Sequence, residues 1–331
     1  MTPPPWEAPL RRYPTPYRPA SPPTPLGNAG GYSGARLWRI DAPAGPLVLR
    51  LWPVDGPGRP SLEIIHGWLA RGRDLPFLPA PIPALDGRTL VALGGRLWEL
   101  APWLPGRADH ARPPSPPRVR AMFAALATFH LRLGPPTVEA PSPGLAARLA
   151  EIERLLLGDF AALALALRRH PGDPHTPLVA RWLDRARPLA PGLLATLRLD
   201  LARALPLQPC LRDARADHFL FEADALTGLV DFGAMGRDTV AADLARLLAD
   251  ALGPDRSARA GALAAYEALR PLRPAESLAI PAFERANALL TAGHWARWHF
   301  LEGRRFDDPE AVAQGLRRGL EQLDDLGLMA P

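Results

Sequence analysis

The apolar positions of the first hundred residues switch period twice. ARLWRID and GPLVLRLW flank Ala-Pro-Ala-Gly and predict a β-hairpin. SLEIIHGWLARGRD then places Leu62, Ile65, Trp68 and Leu69 at helical spacing. RTLVALGGRLWELAPWL predicts a second hairpin around Gly94-Gly95. Hairpin, helix, hairpin makes a small sheet with one helix. Ahead of it, residues 1–25 are rich in proline, which excludes regular helix and predicts an extended arm, partly ordered at Leu10 to Tyr17.

Beyond Leu-Pro-Gly at 104–106 the pattern turns helical. VRAMFAALATFHLRL predicts an amphipathic helix from about Pro117 to Leu133, and further helices follow. HFLFEADALTGLVDF interrupts them as one hairpin around Ala223-Asp224, and TVAADLARLLADAL opens the last helical series. The fold class expected is α+β. It comprises a proline-rich arm over 1–25, a β-rich lobe over 26–104 and a mainly helical lobe over 105–331, which contains the 211–233 segment.

Composition changes this picture only by exclusion. The chain has 331 residues and a formal net charge of +5, but every one of its 39 basic residues is arginine. Arginine, proline, alanine and glycine together suggest GC-rich coding. The arginines form no run of like charge, so no nucleic-acid partner is expected. Cys210 is the single cysteine, which excludes an intrachain disulfide and a cysteine zinc site. No apolar run approaches the roughly 20 residues of a membrane helix, and the N-terminal stretch lacks the apolar core of a signal peptide. A cytoplasmic protein without a membrane partner is expected. The sequence leaves the oligomeric state open.

The candidate chemistry lies in CLRDARADHFLFEADALTGLVDFGAMG, residues 210–236. Asp213 precedes the first strand of the hairpin and Asp231 follows the second, so the two carboxylates are expected to converge at its open end. Paired carboxylates suit holding a divalent cation and taking a proton from a hydroxyl. Gly233 lets the backbone turn closely around an ion. Taken alone, both acids read more readily as turn caps. GNAGGYSGA, with Gly30, Gly31, Ser33 and Gly34, offers N–H groups that can cradle a phosphate. Arg50 sits mid-strand among apolar residues and needs an anionic partner. Glu63, in the one helix of that lobe, is the expected one.

That order of parts resembles the protein-kinase-like fold in its aminoglycoside phosphotransferase branch. LVDFGAMGRDTVAADLARLL resembles the branch's metal-binding strand and following helix, and LRDARADHFLF occupies the place of its catalytic loop. The resemblance runs from about Leu26 to the C-terminal helices and implies an ATP- or GTP-dependent kinase of a small-molecule hydroxyl or amine. By it, Asp213 orients or deprotonates the acceptor, Arg212 accompanies it, and Asp231 holds Mg²⁺ (or Mn²⁺) on the nucleotide phosphates. Arg50 takes the place of the strand lysine, with Glu63 its partner. The linker ELAPWLPG covers the adenine, Pro102 offering a carbonyl and Leu104 an N–H.

Three departures mark this chain. Arg50 stands for lysine, and Leu211 stands where the branch's loop begins with histidine. His218 replaces an asparagine at the second metal position, where imidazole suits Mn²⁺ better than Mg²⁺. They leave a nucleotide-binding or inert pseudokinase as the alternative. Asp243 is expected to bond back to the catalytic-loop backbone. His66 and His130 read as packed side chains rather than ligands, and His294, Trp295, Trp298 and His299 as core packing on a late helix.

Overall fold

A computed structural model describes residues 5–27, 34–108, 113–306, 308 and 310–329. Along the chain run α1 (Glu7–Leu10), β1 (Thr24–Gly27), β2 (Arg36–Ala42), β3 (Gly45–Leu51), α2 (Arg59–Arg71), β4 (Val91–Leu93) and β5 (Arg96–Pro102). There follow α3 (Pro116–Leu133), β6 (Val138–Ala140), α4 (Pro143–Arg154), α5 (Phe160–Arg169), α6 (Thr176–Leu201), β7 (Leu205–Cys210), β8 (Phe219–Glu222) and β9 (Ala225–Leu229). Last come β10 (Gly236–Asp238), α7 (Val240–Leu252), α8 (Arg256–Glu267), α9 (Pro274–Phe300) and α10 (Ala311–Met329). Among the described residues, no helix is long and apolar enough to cross a membrane.

These elements form two compact units. The first takes in Met1–His110, Leu131–Gly134 and Asp217–Met235; the second takes in Ala111–His130, Pro135–Ala216 and Gly236–Pro331. The 211–233 segment therefore divides at Asp217, instead of lying wholly in the helical unit. The β8–β9 hairpin is bonded into the first unit. Arg107 and Phe221 exchange backbone hydrogen bonds, Leu229 N–H donates to Phe77, and the Thr227 hydroxyl donates to the Pro105 carbonyl.

The first unit centres on an antiparallel sheet in the order β1-β2-β3-β5-β4. Alternation does what the sequence predicts: Trp38 and Ile40 on β2, and Leu47, Leu49 and Leu51 on β3, point to one buried face. The β4–β5 hairpin turns on Gly94 and Gly95, both at positive φ, as a two-residue turn of this hand requires. The arm also belongs to this unit, and against the expectation of an extended chain it carries one helical turn, α1, because Pro9 falls in the first turn, where its missing N–H costs nothing. Leu10 and Tyr13 join Trp38, Ile40, Leu49, Trp98 and Leu100 in one core, and β1 extends the sheet. Val48 and Arg50 alternate onto the opposite face.

The second unit is mostly helical. It also holds a three-stranded sheet, β10-β7-β6, that the sequence reading did not predict. All six residues of β7, LPLQPC, are buried, so no alternation is left to see. Helix α7 starts at Thr239, whose hydroxyl accepts from the Ala241 N–H, and is buried along nearly its whole length.

Candidate active site

Each unit carries one of the predicted acids. In the first unit Arg50 lies directly across from Glu99 in the β3–β5 register, and the two form an ion pair at 3.5 Å. Glu63 is not that partner. It lies half exposed on α2 and pairs with Arg59 one turn earlier. The physical reason is cross-strand register: a residue directly opposite is always within reach, whereas Glu63 sits on the solvent side of its helix. Glu99 is buried and engaged three ways, also accepting from Trp52 Nε1 and from His66 Nε2, each at 2.9 Å. Burial alone would raise its pKa, but the Arg50 charge and the bonds from His66 and Trp52 outweigh it and hold it below the ordinary value. The Arg50 guanidinium also lies 4.8 Å from the Trp52 ring centroid. Arg50 is thus a partly exposed cation set by a carboxylate and an indole.

Of the predicted phosphate cradle, Gly30, Gly31 and Ser33 lie outside the described residues, and Gly34 has φ +72°. Pro102 ends β5 opposite Leu47, and the Leu104 side chain closes on Gly228, where an added Cβ would lie 2.9 Å from it.

Asp231 follows β9 at φ +67°, a left-handed conformation uncommon for a residue with a side chain. Its carboxylate is half exposed and lies 3.6 Å from His218 Nε2, and Asp217 lies 3.8 Å from the same nitrogen. At Gly233 the backbone passes under Trp52 so closely that a Cβ would sit 3.2 Å from the indole. His218 Nδ1 is buried with no hydrogen-bond partner among the described residues, while Nε2 faces two carboxylates. Carboxylate oxygens and an imidazole nitrogen are donor types that a divalent cation takes, the nitrogen tilting the preference toward Mn²⁺.

In the second unit the loop after β7 is gripped by one face of α7. Asp243 accepts from the Leu211 and Arg212 N–H groups at 2.7 and 2.6 Å, as its sequence position predicts. Asp250 accepts from the Ala216 N–H at 2.9 Å and is held by Arg318. Between them Arg246 donates from Nε to Asp213 at 3.0 Å. Positions 243, 246 and 250 share a helix face by the 3.6-residue repeat. The loop's start, middle and end are therefore fixed from one rigid element. Arg212 has φ +65°, and its side chain reaches the buried Asp238 at 3.6 Å, next to Gly236. Asp238 also accepts from the Ser142 hydroxyl at 2.6 Å.

Beneath Asp243 lies a buried chain of hydrogen bonds. His130 Nε2 meets Asp243 at 2.9 Å and Nδ1 meets the Tyr266 hydroxyl at 2.7 Å, with the histidine fully buried. Burial pushes the imidazole pKa down, against the pull of Asp243. A neutral ring places its proton on Nε2 for the carboxylate and accepts from Tyr266 on Nδ1. His130 is thus a packed side chain with a defined task, and Glu99, Arg246, Asp250 and Tyr266 are the residues that sequence reasoning missed. The register between two hairpin strands signals Glu99; the helical spacing from Asp243 signals Arg246 and Asp250.

Fold and loop together define a kinase-like phosphotransferase architecture. Residues 26–277 match the family model described as the phosphotransferase enzyme family, and the chain belongs to that family. The homoserine kinase of Allorhizobium ampelinum is 30% identical over 193 residues, 55% of this chain and 50% of that protein. The chain thus spans about half the length of the curated relative it matches. An aminoglycoside phosphotransferase from Alicyclobacillus acidocaldarius superposes with a TM-score of 0.62 at 17% identity, over 96% of this chain and 92% of that one. An amicoumacin kinase solved with AMP-PNP and Ca²⁺ superposes with a TM-score of 0.60 at 13% identity, over 88% and 85%. At these identities the structures speak for the fold, which is α+β and protein-kinase-like as expected.

Proposed function

We propose that this protein is an ATP- or GTP-dependent kinase that moves the γ-phosphoryl group to a hydroxyl or amine of a small molecule. The observation that carries this reading is the loop pinned by α7, with Asp213 fixed through Arg246 while Asp243 holds the two backbone N–H groups before it. In this reading Asp213 orients the acceptor and receives its proton. Arg246 fixes one carboxylate oxygen of Asp213, so in this reading the acid contributes chiefly by positioning the acceptor. Arg50, braced by Glu99 and Trp52, binds nucleotide phosphate through a permanent charge. Asp231, His218 and Asp217 hold a divalent cation, which when bound neutralises charge on the phosphates. Pro102 and Leu104 present backbone groups to the base, and the glycine-rich segment with Gly34 covers the phosphates. The likeness to a homoserine kinase and to amicoumacin and aminoglycoside kinases supports a polyfunctional amino alcohol as the acceptor class.

The test is ATP and GTP consumption against a panel of amino alcohols, homoserine and aminoglycosides, with Mg²⁺ and with Mn²⁺. Asp213→Asn is expected to keep nucleotide-induced thermal stabilisation and lose turnover. Asp231→Asn is expected to lose the metal-dependent part of that stabilisation without unfolding. An Asp231→Asn protein that binds metal–nucleotide as tightly as the parent overturns the assignment. One observation favours a second reading, a nucleotide-binding pseudokinase: an imidazole stands at the second metal position. Nucleotide stabilisation without consumption of either nucleotide across the panel selects that reading.

A further inference from the structure

Far along the sequence from the pinned loop, the second unit gathers two histidines and an aspartate on its own surface. Asp173 lies in the turn between α5 and α6, His175 is the residue immediately before α6, and His299 lies in the last turn of α9. One ligand atom from each falls within 4.8 Å of the others. His299 Nε2 meets Asp173 Oδ2 at 2.8 Å, and the two imidazole rings stand edge to face with centroids 4.8 Å apart. The other carboxylate oxygen of Asp173 accepts from the His175 N–H at 2.8 Å. The backbone therefore locks the carboxylate with its second oxygen turned to the histidines, as outer-shell bonds do around bound metals. All three side chains are half-buried, and the site is open to solvent on one side.

We propose that Asp173, His175 and His299 form a zinc-binding site that ties the α5–α6 turn to the end of α9. Two imidazole nitrogens and one carboxylate oxygen are a set that zinc takes with one position left for water. Tetrahedral zinc wants its ligand atoms about 3.4 Å apart, so small side-chain rotations bring these three to bonding distance. When a metal takes His299 Nε2, the ring proton moves to Nδ1 and Asp173 Oδ2 turns from accepting that proton to binding the ion. The site is independent of phosphoryl transfer, because none of its residues belongs to the loop, the hairpin or the sheet described above.

Isothermal titration of the tag-free full chain with ZnCl₂ tests this directly. The expected result is one saturable site per chain, with the melting temperature raised by about 4 °C at a hundredfold excess over Kd. His175→Ala removes one ligand yet leaves the Asp173–His299 bond in place, so its zinc-free melting temperature should stay near the parent's. Its affinity for zinc should fall by more than the roughly 10–100-fold that a lost outer-shell partner costs. Asp173→Asn should do the same. No saturable site in the parent overturns the proposal. So does a site that survives in both variants, which places the ion elsewhere, the buried His130–Cys210–Asp243 group included.

Discussion

Arg50 and Glu99 show how much one residue's surroundings decide. An arginine on a sheet face is mobile and strongly hydrated unless something holds it. Here the holder is a buried carboxylate that also receives an indole N–H and an imidazole. Removing the charge while keeping the shape isolates that task. If Arg50 binds nucleotide phosphate as proposed, Glu99→Gln should raise the KM for the nucleotide several-fold with a smaller change in kcat, because it loosens that cation and not the acceptor side. Glu99→Ala should cost roughly 3–5 kcal/mol of stability, the usual penalty for breaking a buried charge pair from one side. Chemical denaturation and steady-state kinetics on the two variants separate the effects. The sequence showed that Arg50 needs an anion but named the wrong one. Glu63 was the acid in the helix that family order suggests, whereas strand register, which fixes the actual partner, emerges only once the hairpins are paired.

At the scale of the element, α7 works as a ruler. Three of its side chains, spaced over two turns, meet the start, middle and end of the loop that carries Asp213. Asp243→Asn illustrates the dependence. An amide has one acceptor oxygen where the carboxylate offers two, so it cannot serve both loop N–H groups and His130 together. At least one buried donor is left unsatisfied, at about 1–3 kcal/mol. Turnover should fall further than that stability loss accounts for, since Asp213 loses its register. Circular dichroism melts beside kcat measurements check both halves. The helix and Asp243's backward reach were legible in TVAADLARLLADAL, because amphipathic spacing and a first-turn acid are local signals. The sheet around β7 was not legible: LPLQPC carries two prolines, is buried throughout, and shows neither of the periods by which strands announce themselves.

For the whole molecule, the buried histidine sets an acid limit. His130 is held neutral in the folded chain, its pKa below the ordinary 6.5. Between that folded value and 6.5 the unfolded chain binds a proton that the folded one refuses. Stability therefore falls as pH drops through this window and is recovered as pH rises above it. Glu99 acts in the same direction lower down: its folded pKa is depressed, so its contribution is present above about 4.5 and fades as pH falls through the folded value. Denaturant midpoints measured from pH 7.5 to 5 should decline for the parent and decline less for His130→Gln, which has no proton to gain. The change from hairpins to helices near residue 105 was readable in the sequence. That Asp217–Met235 returns to the first unit was not, because its attachment is made by backbone hydrogen bonds that no side-chain pattern reports.

Arg212 and Asp231, one beside the proposed acceptor acid and the other the proposed metal holder, both sit in left-handed backbone with full side chains. Each such residue costs about 1–2 kcal/mol that glycine would not. At 212 the ion pair with buried Asp238 offsets that gain, whereas Asp231 is half exposed. Evolution in the laboratory under heat alone, with no demand for turnover, would drain the protein through position 231: glycine would spread there, the survivors would melt later, and the proposed metal holder would be bred out of its own scaffold.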